Sequence, residues 1–147
     1  MSEQFRHVRI VMIEDDVGHA RLIEKNIRRA GIRNEILPFS DGTSAEAFLY
    51  DRDGAAAQGE QALLVLLDLN LPDMSGVDIL RRLKENPALR QVPVIVLTTT
   101  DDQREVRRCY ELGCSVYMTK PVDYEKFAHA IHQLGLFLSV IEVPNVT

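Results

Sequence analysis

The chain has 147 residues, 46% hydrophobic and 27% charged, with a net charge of −5. That length suits one domain around one substantial core, and the acidic balance argues against a nucleic-acid-binding surface. No apolar run approaches the ~20 residues of a membrane span, and Met1 to Arg6 carry no signal-peptide core, so the expectation is a cytoplasmic protein. The acidic balance does not exclude local basic patches, and Arg81, Arg82 and Lys84 form a small one. Cys109 and Cys114 have no metal-like partners nearby and His7, His19, His129 and His132 are scattered. A zinc site, which wants about four N/S ligands, is therefore not expected.

In chain order, Val8 to Ile13 reads as a first strand, cut off by Glu14-Asp15-Asp16. Val17 to about Ala30 reads as a helix with apolar positions at Ala20, Leu22, Ile23 and Ile27, stopped by Gly31. Asn34 to Phe39 reads as a short strand whose Pro38 puts it at a sheet edge. A helix follows Ser40-Asp41-Gly42, with Ala45, Ala47, Phe48 and Leu49 apolar. Asp51 to Gln61, small and polar with Gly54 and Gly59, reads as a long surface loop inserted within the domain.

Ala62 to Leu67 is a run of six apolar residues, the mark of a strand buried on both faces at the centre of a parallel sheet. It ends at Asp68, followed by Asn70 and Pro72. Ser75-Gly76 opens a helix with Val77, Ile79, Leu80 and Leu83, which Pro87 breaks. Val92 to Leu97 is a fourth strand ending at Thr98-Thr99-Thr100, and Asp101-Asp102 cap a helix that stops at Leu112-Gly113. Val116 to Met118 is a fifth strand running into Thr119-Lys120-Pro121, and a last helix starts near Asp123 with Phe127, Ala130, Ile131 and Leu134 apolar.

Strand and helix alternate five times without repeats. An α/β fold is expected: a doubly wound, flavodoxin-like, five-stranded parallel sheet of order 2-1-3-4-5 with helices on both faces. A lone Asp at a strand end is more often a cap or turn residue. Here, however, strand one delivers Glu14 and Asp15, strand three Asp68, strand four Thr98 and strand five Lys120, all to one sheet edge. Clustered carboxylates repel unless a cation neutralises them. Hard oxygen ligands with room for water suit Mg²⁺. With a fixed lysine and a hydroxyl, the set makes a phosphoryl-transfer site, where positioning and charge stabilisation do the chemistry.

At these residues the sequence resembles the receiver domain of two-component response regulators, over roughly Val8 to Ile131. The resemblance rests on Glu14-Asp15, Asp68 with Pro72 and Gly76 behind it, Thr98, and Lys120-Pro121, in order and at suitable spacing. It implies that Asp68 accepts a phosphoryl group, that Asp15 and Asp68 bind Mg²⁺ with the Asn70 backbone carbonyl, and that Glu14 acts through water. It further implies that Lys120 pairs with phosphoryl oxygens, that Thr98 moves to bond them, that Tyr117 is an aromatic switch, and that Lys120–Pro121 is cis. Asp16 is read as a helix N-terminal residue rather than a ligand. Thr99 stands where the family usually has Ala or Ser, which narrows the approach to Asp68.

The whole chain, 1–147, is expected to be one receiver domain with an apolar C-terminal extension over about 134–147, signalling through protein–protein contacts rather than as an enzyme. The expected partners are a sensor histidine kinase and a second copy, bound through the face of the last two helices and the tail. The 51–61 loop, the threonine run and the tail together resemble single-domain regulators that partner bacterial phytochrome kinases. A Mg²⁺-dependent phosphohydrolase of the haloacid-dehalogenase type needs an Asp two residues past the nucleophile, where this chain has Asn70. A flavin or nucleotide binder needs a glycine-rich phosphate loop, and no G-x-G occurs. An inactive scaffold would not need the full acid–threonine–lysine set.

Overall fold

The computed structural model describes residues 8–50 and 62–134. The expectations of a 51–61 loop and of an apolar extension beyond residue 134 fall outside the described residues. Five strands and five helices alternate: β1 (Val8–Ile13), α1 (Val17–Arg29), β2 (Ile36–Phe39), α2 (Gly42–Leu49), β3 (Ala62–Leu67), α3 (Gly76–Glu85), β4 (Val94–Thr98), α4 (Gln103–Leu112), β5 (Val116–Thr119) and α5 (Tyr124–Leu134). The sheet is parallel throughout, in the order β2-β1-β3-β4-β5, as the alternation requires. Pro38 lies on the edge strand β2, where its missing N–H breaks no inner ladder.

The period-2 geometry of each strand sorts its side chains between two cores. Val11, Ile13, Val65, Leu67, Val94 and Val96 face Ala45 and Leu49 of α2, Ile79, Leu80 and Leu83 of α3, and Cys109 of α4. Their neighbours Ile10, Met12, Leu64, Leu66, Ile95 and Leu97 face Ile27 of α1 and Phe127 of α5. The continuous apolar run of β3 is thus explained: alternate residues serve opposite layers. Each fully buried aliphatic side chain contributes about 1.5–3 kcal/mol relative to exposure.

Helix ends follow local chemistry. Asp16, Asp41, Ser75 and Asp102 cap α1, α2, α3 and α4, each side chain accepting from a backbone N–H of the first turn. Asp16 is therefore a cap, as the sequence suggests. After α4, Gly113 takes a left-handed φ of 112° that other residues resist. Both cysteines are free and buried, and burial pushes their thiols up to about 11 for Cys109 and about 12 for Cys114.

Several sequence readings need correction. β2 starts at Ile36 rather than Asn34, because the Asn34 side chain donates to the Val8 carbonyl at 3.0 Å while its own carbonyl accepts from Arg28. β4 starts at Val94, since Val92 closes a turn onto Leu89 and its carbonyl takes the Lys84 ammonium at 2.6 Å. Of the apolar positions read in α1 and α2, Leu22 and Ala47 are exposed. The basic cluster dissolves: Arg81 pairs with Asp78, Arg82 with Glu46, and Lys84 with backbone carbonyls. No helix of the described residues is long and apolar enough to cross a membrane.

Candidate functional site

The carboxyl ends of β1, β3, β4 and β5 meet at one edge. Glu14 follows β1 and its backbone N–H still bonds to the Phe39 carbonyl at 2.9 Å, so the strand geometry carries it one residue past Ile13. Asp68 likewise continues β3, its N–H donating to the Ile13 carbonyl at 3.0 Å. Both side chains are buried, whereas Asp15 points to the exposed side. Carboxylate oxygens of Glu14, Asp15 and Asp68 lie within 4.8 Å of one another. One Asp68 oxygen accepts from the Asn70 N–H at 3.2 Å.

Lys120 reaches this cluster from the end of β5. Its ammonium bonds to Glu14 and lies 3.4 Å from the second oxygen of Asp68. The lysine is registered by its own N–H, which donates to the Thr98 carbonyl at 2.7 Å, and the Lys120–Pro121 peptide is cis. Burial raises the Glu14 carboxyl above its ordinary range, opposed by the bond from Lys120 and by the Asp16 N–H. Three carboxylates against one lysine leave excess negative charge in a poorly solvated place, which is the condition that recruits a hard divalent cation. The donor set fits one: all oxygen, with one carboxylate exposed on the open side.

Thr98 ends β4 fully buried, and among the described residues its hydroxyl has no hydrogen-bond partner. A buried hydroxyl left without a partner costs about 1–3 kcal/mol. Tyr117 is half-buried on β5; its hydroxyl donates to the Thr100 carbonyl at 2.7 Å and its N–H donates to the Tyr110 hydroxyl at 3.0 Å. Desolvation pushes the Tyr117 phenol up to about 12. The sequence-predicted residues Glu14, Asp15, Asp68, Thr98 and Lys120 are thus gathered at one edge, with Asn70 bonded to Asp68 and Tyr117 beside the β4–α4 loop. Thr99 is exposed and shares a cavity wall with Lys120.

Two residues escaped the sequence reading. His19, in the first turn of α1, places Nδ1 3.0 Å from the Lys120 ammonium and 3.8 Å from Glu14. Its position three residues after the Asp16 cap, on the helix turn facing the acidic edge, was the available signal. Asp73 accepts from the N–H groups of Gly42 and Thr43 at 2.9 and 2.8 Å and from the Thr43 hydroxyl. It ties the segment behind Asp68 to the start of α2.

The family model for the response regulator receiver domain matches residues 10–132. A receiver-domain structure from Rhodospirillum rubrum is 65% identical, covers 92% of this chain and 96% of its own, and superposes with a TM-score of 0.75. The bacteriophytochrome response regulator RtBRR is 34% identical, covering 92% of this chain and 82% of its own, with a TM-score of 0.78. Response regulator Rcp1 of Synechocystis is 37% identical over 76% of this chain and 75% of its own length. Its Mn²⁺-bound crystal form is 33% identical over 88% of this chain and 94% of its own, with a TM-score of 0.70. Receiver domains bind Mg²⁺ or Mn²⁺ at an acidic pocket, take a phosphoryl group from histidine kinases and serve two-component signalling. With a match over most of its length, this chain belongs to the response regulator receiver domain family.

Proposed function

We propose that Asp68 is the residue phosphorylated in this receiver, and that the resulting charge switches the face formed by α4, β5 and α5. The observation that carries this reading is the Asp68–Lys120 junction, in which the ammonium lies 3.4 Å from a buried acceptor oxygen. An Asp68 oxygen attacks the phosphorus of a phosphohistidine, the P–N bond breaks, and the imidazole leaves. Asp15, Asp68 and the Asn70 carbonyl would hold Mg²⁺, and Glu14 would contribute through water. When bound, the cation offsets the charge that accumulates on the phosphoryl oxygens. Lys120 pairs with one of those oxygens, exchanging part of its contact with Asp68 for it.

The buried Thr98 hydroxyl then donates to the phosphoryl group. That bond is available only when phosphate is present, so it shifts a pre-existing equilibrium of the β4–α4 loop. Tyr117, bonded to the Thr100 carbonyl two residues beyond Thr98, carries the shift to the output face. The partner donor is a sensor histidine kinase, and likeness to RtBRR favours a bacteriophytochrome. The chain acts as one cytoplasmic receiver domain and pairs with a second copy through its C-terminal face, without turning over an external substrate.

Intact-mass measurement tests the acceptor, with Mg²⁺ and either acetyl phosphate or a phosphorylated histidine kinase. The expected result is one Mg²⁺-dependent phosphoryl adduct, absent from Asp68→Asn. An adduct that persists in Asp68→Asn would overturn the assignment. Sedimentation before and after phosphorylation tests the pairing, and a monomer in both states at low micromolar concentration would overturn it.

A further inference from the structure

We propose that the crevice between α1 and α5 beside Lys120 is a leaving-group subsite, selecting acyl phosphates with a small apolar acyl group as direct phosphoryl donors. The inference rests on Asp68 being the acceptor. The crevice has a volume of about 130 Å³, and its walls include Leu22, Ile23, Leu97, Val122 and Phe127. That is slightly smaller than the ~150 Å³ apolar cavity known to take benzene, so it suits a branched group of about four or five carbons.

The crevice is joined to the acceptor by shared side chains. Lys120 and His19 both line it, and the Lys120 ammonium stands 3.0 Å from His19 Nδ1 and 3.4 Å from Asp68. One ammonium therefore separates the apolar wall from the reacting carboxylate. The Asn26 amide, also in the lining, is already committed to the Val122 carbonyl at 2.8 Å. It braces the α1 wall against the β5–α5 connection and leaves the surface offered to a ligand mainly apolar. At the mouth, the apolar side chain of Leu22 is 43% exposed among the described residues.

A donor with this shape matches both halves of the site: a doubly charged phosphoryl group toward Lys120 and an apolar tail toward Leu22 and Val122. In the transfer, an Asp68 oxygen forms a bond to phosphorus. The bridging P–O bond breaks, and its electron pair leaves with the acyl carboxylate. No proton moves and no further reactant is required. Two additional buried carbons in the tail favour binding by about five- to tenfold when largely desolvated.

The test compares adduct formation from acetyl phosphate and isobutyryl phosphate at equal subsaturating concentrations with Mg²⁺, in wild type and Leu22→Trp. Tryptophan at this exposed rim position covers the mouth. A second readout follows methyl resonances of Ile23, Leu97 and Val122 on titration with isobutylphosphonate or methylphosphonate. The expected result is a five- to tenfold preference for isobutyryl phosphate in wild type, falling to about one in Leu22→Trp. Methyl shifts should appear with isobutylphosphonate alone. Equal wild-type rates from the two donors would overturn the subsite while leaving Asp68 as acceptor, as would a preference that Leu22→Trp leaves intact. If Leu22→Trp slows transfer only from a phosphorylated kinase, the crevice receives a side chain of that protein and the subsite is again overturned. No adduct from any donor would overturn the acceptor reading as well.

Discussion

Gly76 lies so close to Asp68 that no other residue fits: a Cβ there would stand 2.4 Å from the Asp68 carbonyl oxygen and 2.6 Å from the Leu69 Cα. The contact is backbone to backbone and cannot be relieved by a rotamer. It arises because the Gly76 N–H donates to the Leu69 carbonyl at 2.9 Å, folding the start of α3 back onto the end of β3. Gly76→Ala must therefore displace the acceptor strand end. We expect a loss of about 1–3 kcal/mol in urea unfolding, together with slower phosphorylation at Asp68. An unchanged midpoint would mean that this turn opens without cost.

Lys120 is the cation among the described residues that touches the buried Glu14 and Asp68 carboxylates. Its removal leaves those charges uncompensated in a site where burial already raises the Glu14 carboxyl. Lys120→Met should cost about 3 kcal/mol or more in metal-free buffer. Mg²⁺ should recover more stability in this variant than in wild type, because the added cation replaces the missing charge. Urea titrations with and without Mg²⁺ read both effects, and an equal Mg²⁺ increment in the two proteins would contradict the account.

Asp73 illustrates a contribution that depends on pH. Bonds from the Thr43 hydroxyl and the Gly42 and Thr43 N–H groups hold its carboxyl down, at about 2 against an ordinary 3.8. A carboxyl lowered on folding adds stability above its unfolded value, and that stability is lost as pH falls through the folded one. Asp73→Ala should therefore melt lower than wild type at neutral pH. The gap should narrow between pH 3.8 and about 2. Thermal melts across this range measure it, and a pH-independent gap would point to packing alone.

The sheet order and the acidic edge were legible because they depend on patterns within single segments. Six consecutive apolar residues announce β3, and polar residues at the ends of apolar runs announce the edge. His19 and Asp73 were not legible, since their meaning lies in partners 101 and about 30 residues away. Leu22 shows how an apolar residue within a helix need not face the core. It is apolar like Ile23 and Ile27, yet it stands five residues before Ile27, about 140° round the helix, which puts it at the crevice mouth instead of in the core. The cluster Arg81, Arg82 and Lys84 looked basic only until Asp78, Glu46 and the carbonyls of Arg90 and Val92 were brought beside it.

Thr98 separates stability from switching. Its hydroxyl is buried and has no partner among the described residues, an arrangement that costs stability instead of adding it. Thr98→Val keeps the branched shape and removes the polar atom. The variant should be as stable as wild type or more stable, by about 1 kcal/mol. The same change deletes the donor that the phosphoryl group would engage. Phosphorylated Thr98→Val should then carry the adduct at Asp68 without the spectral change at Tyr117 that phosphorylated wild type displays. Denaturation paired with tyrosine side-chain NMR reads both halves. A destabilised variant would mean that the hydroxyl already has a partner, and a preserved Tyr117 response would move the switch to another residue.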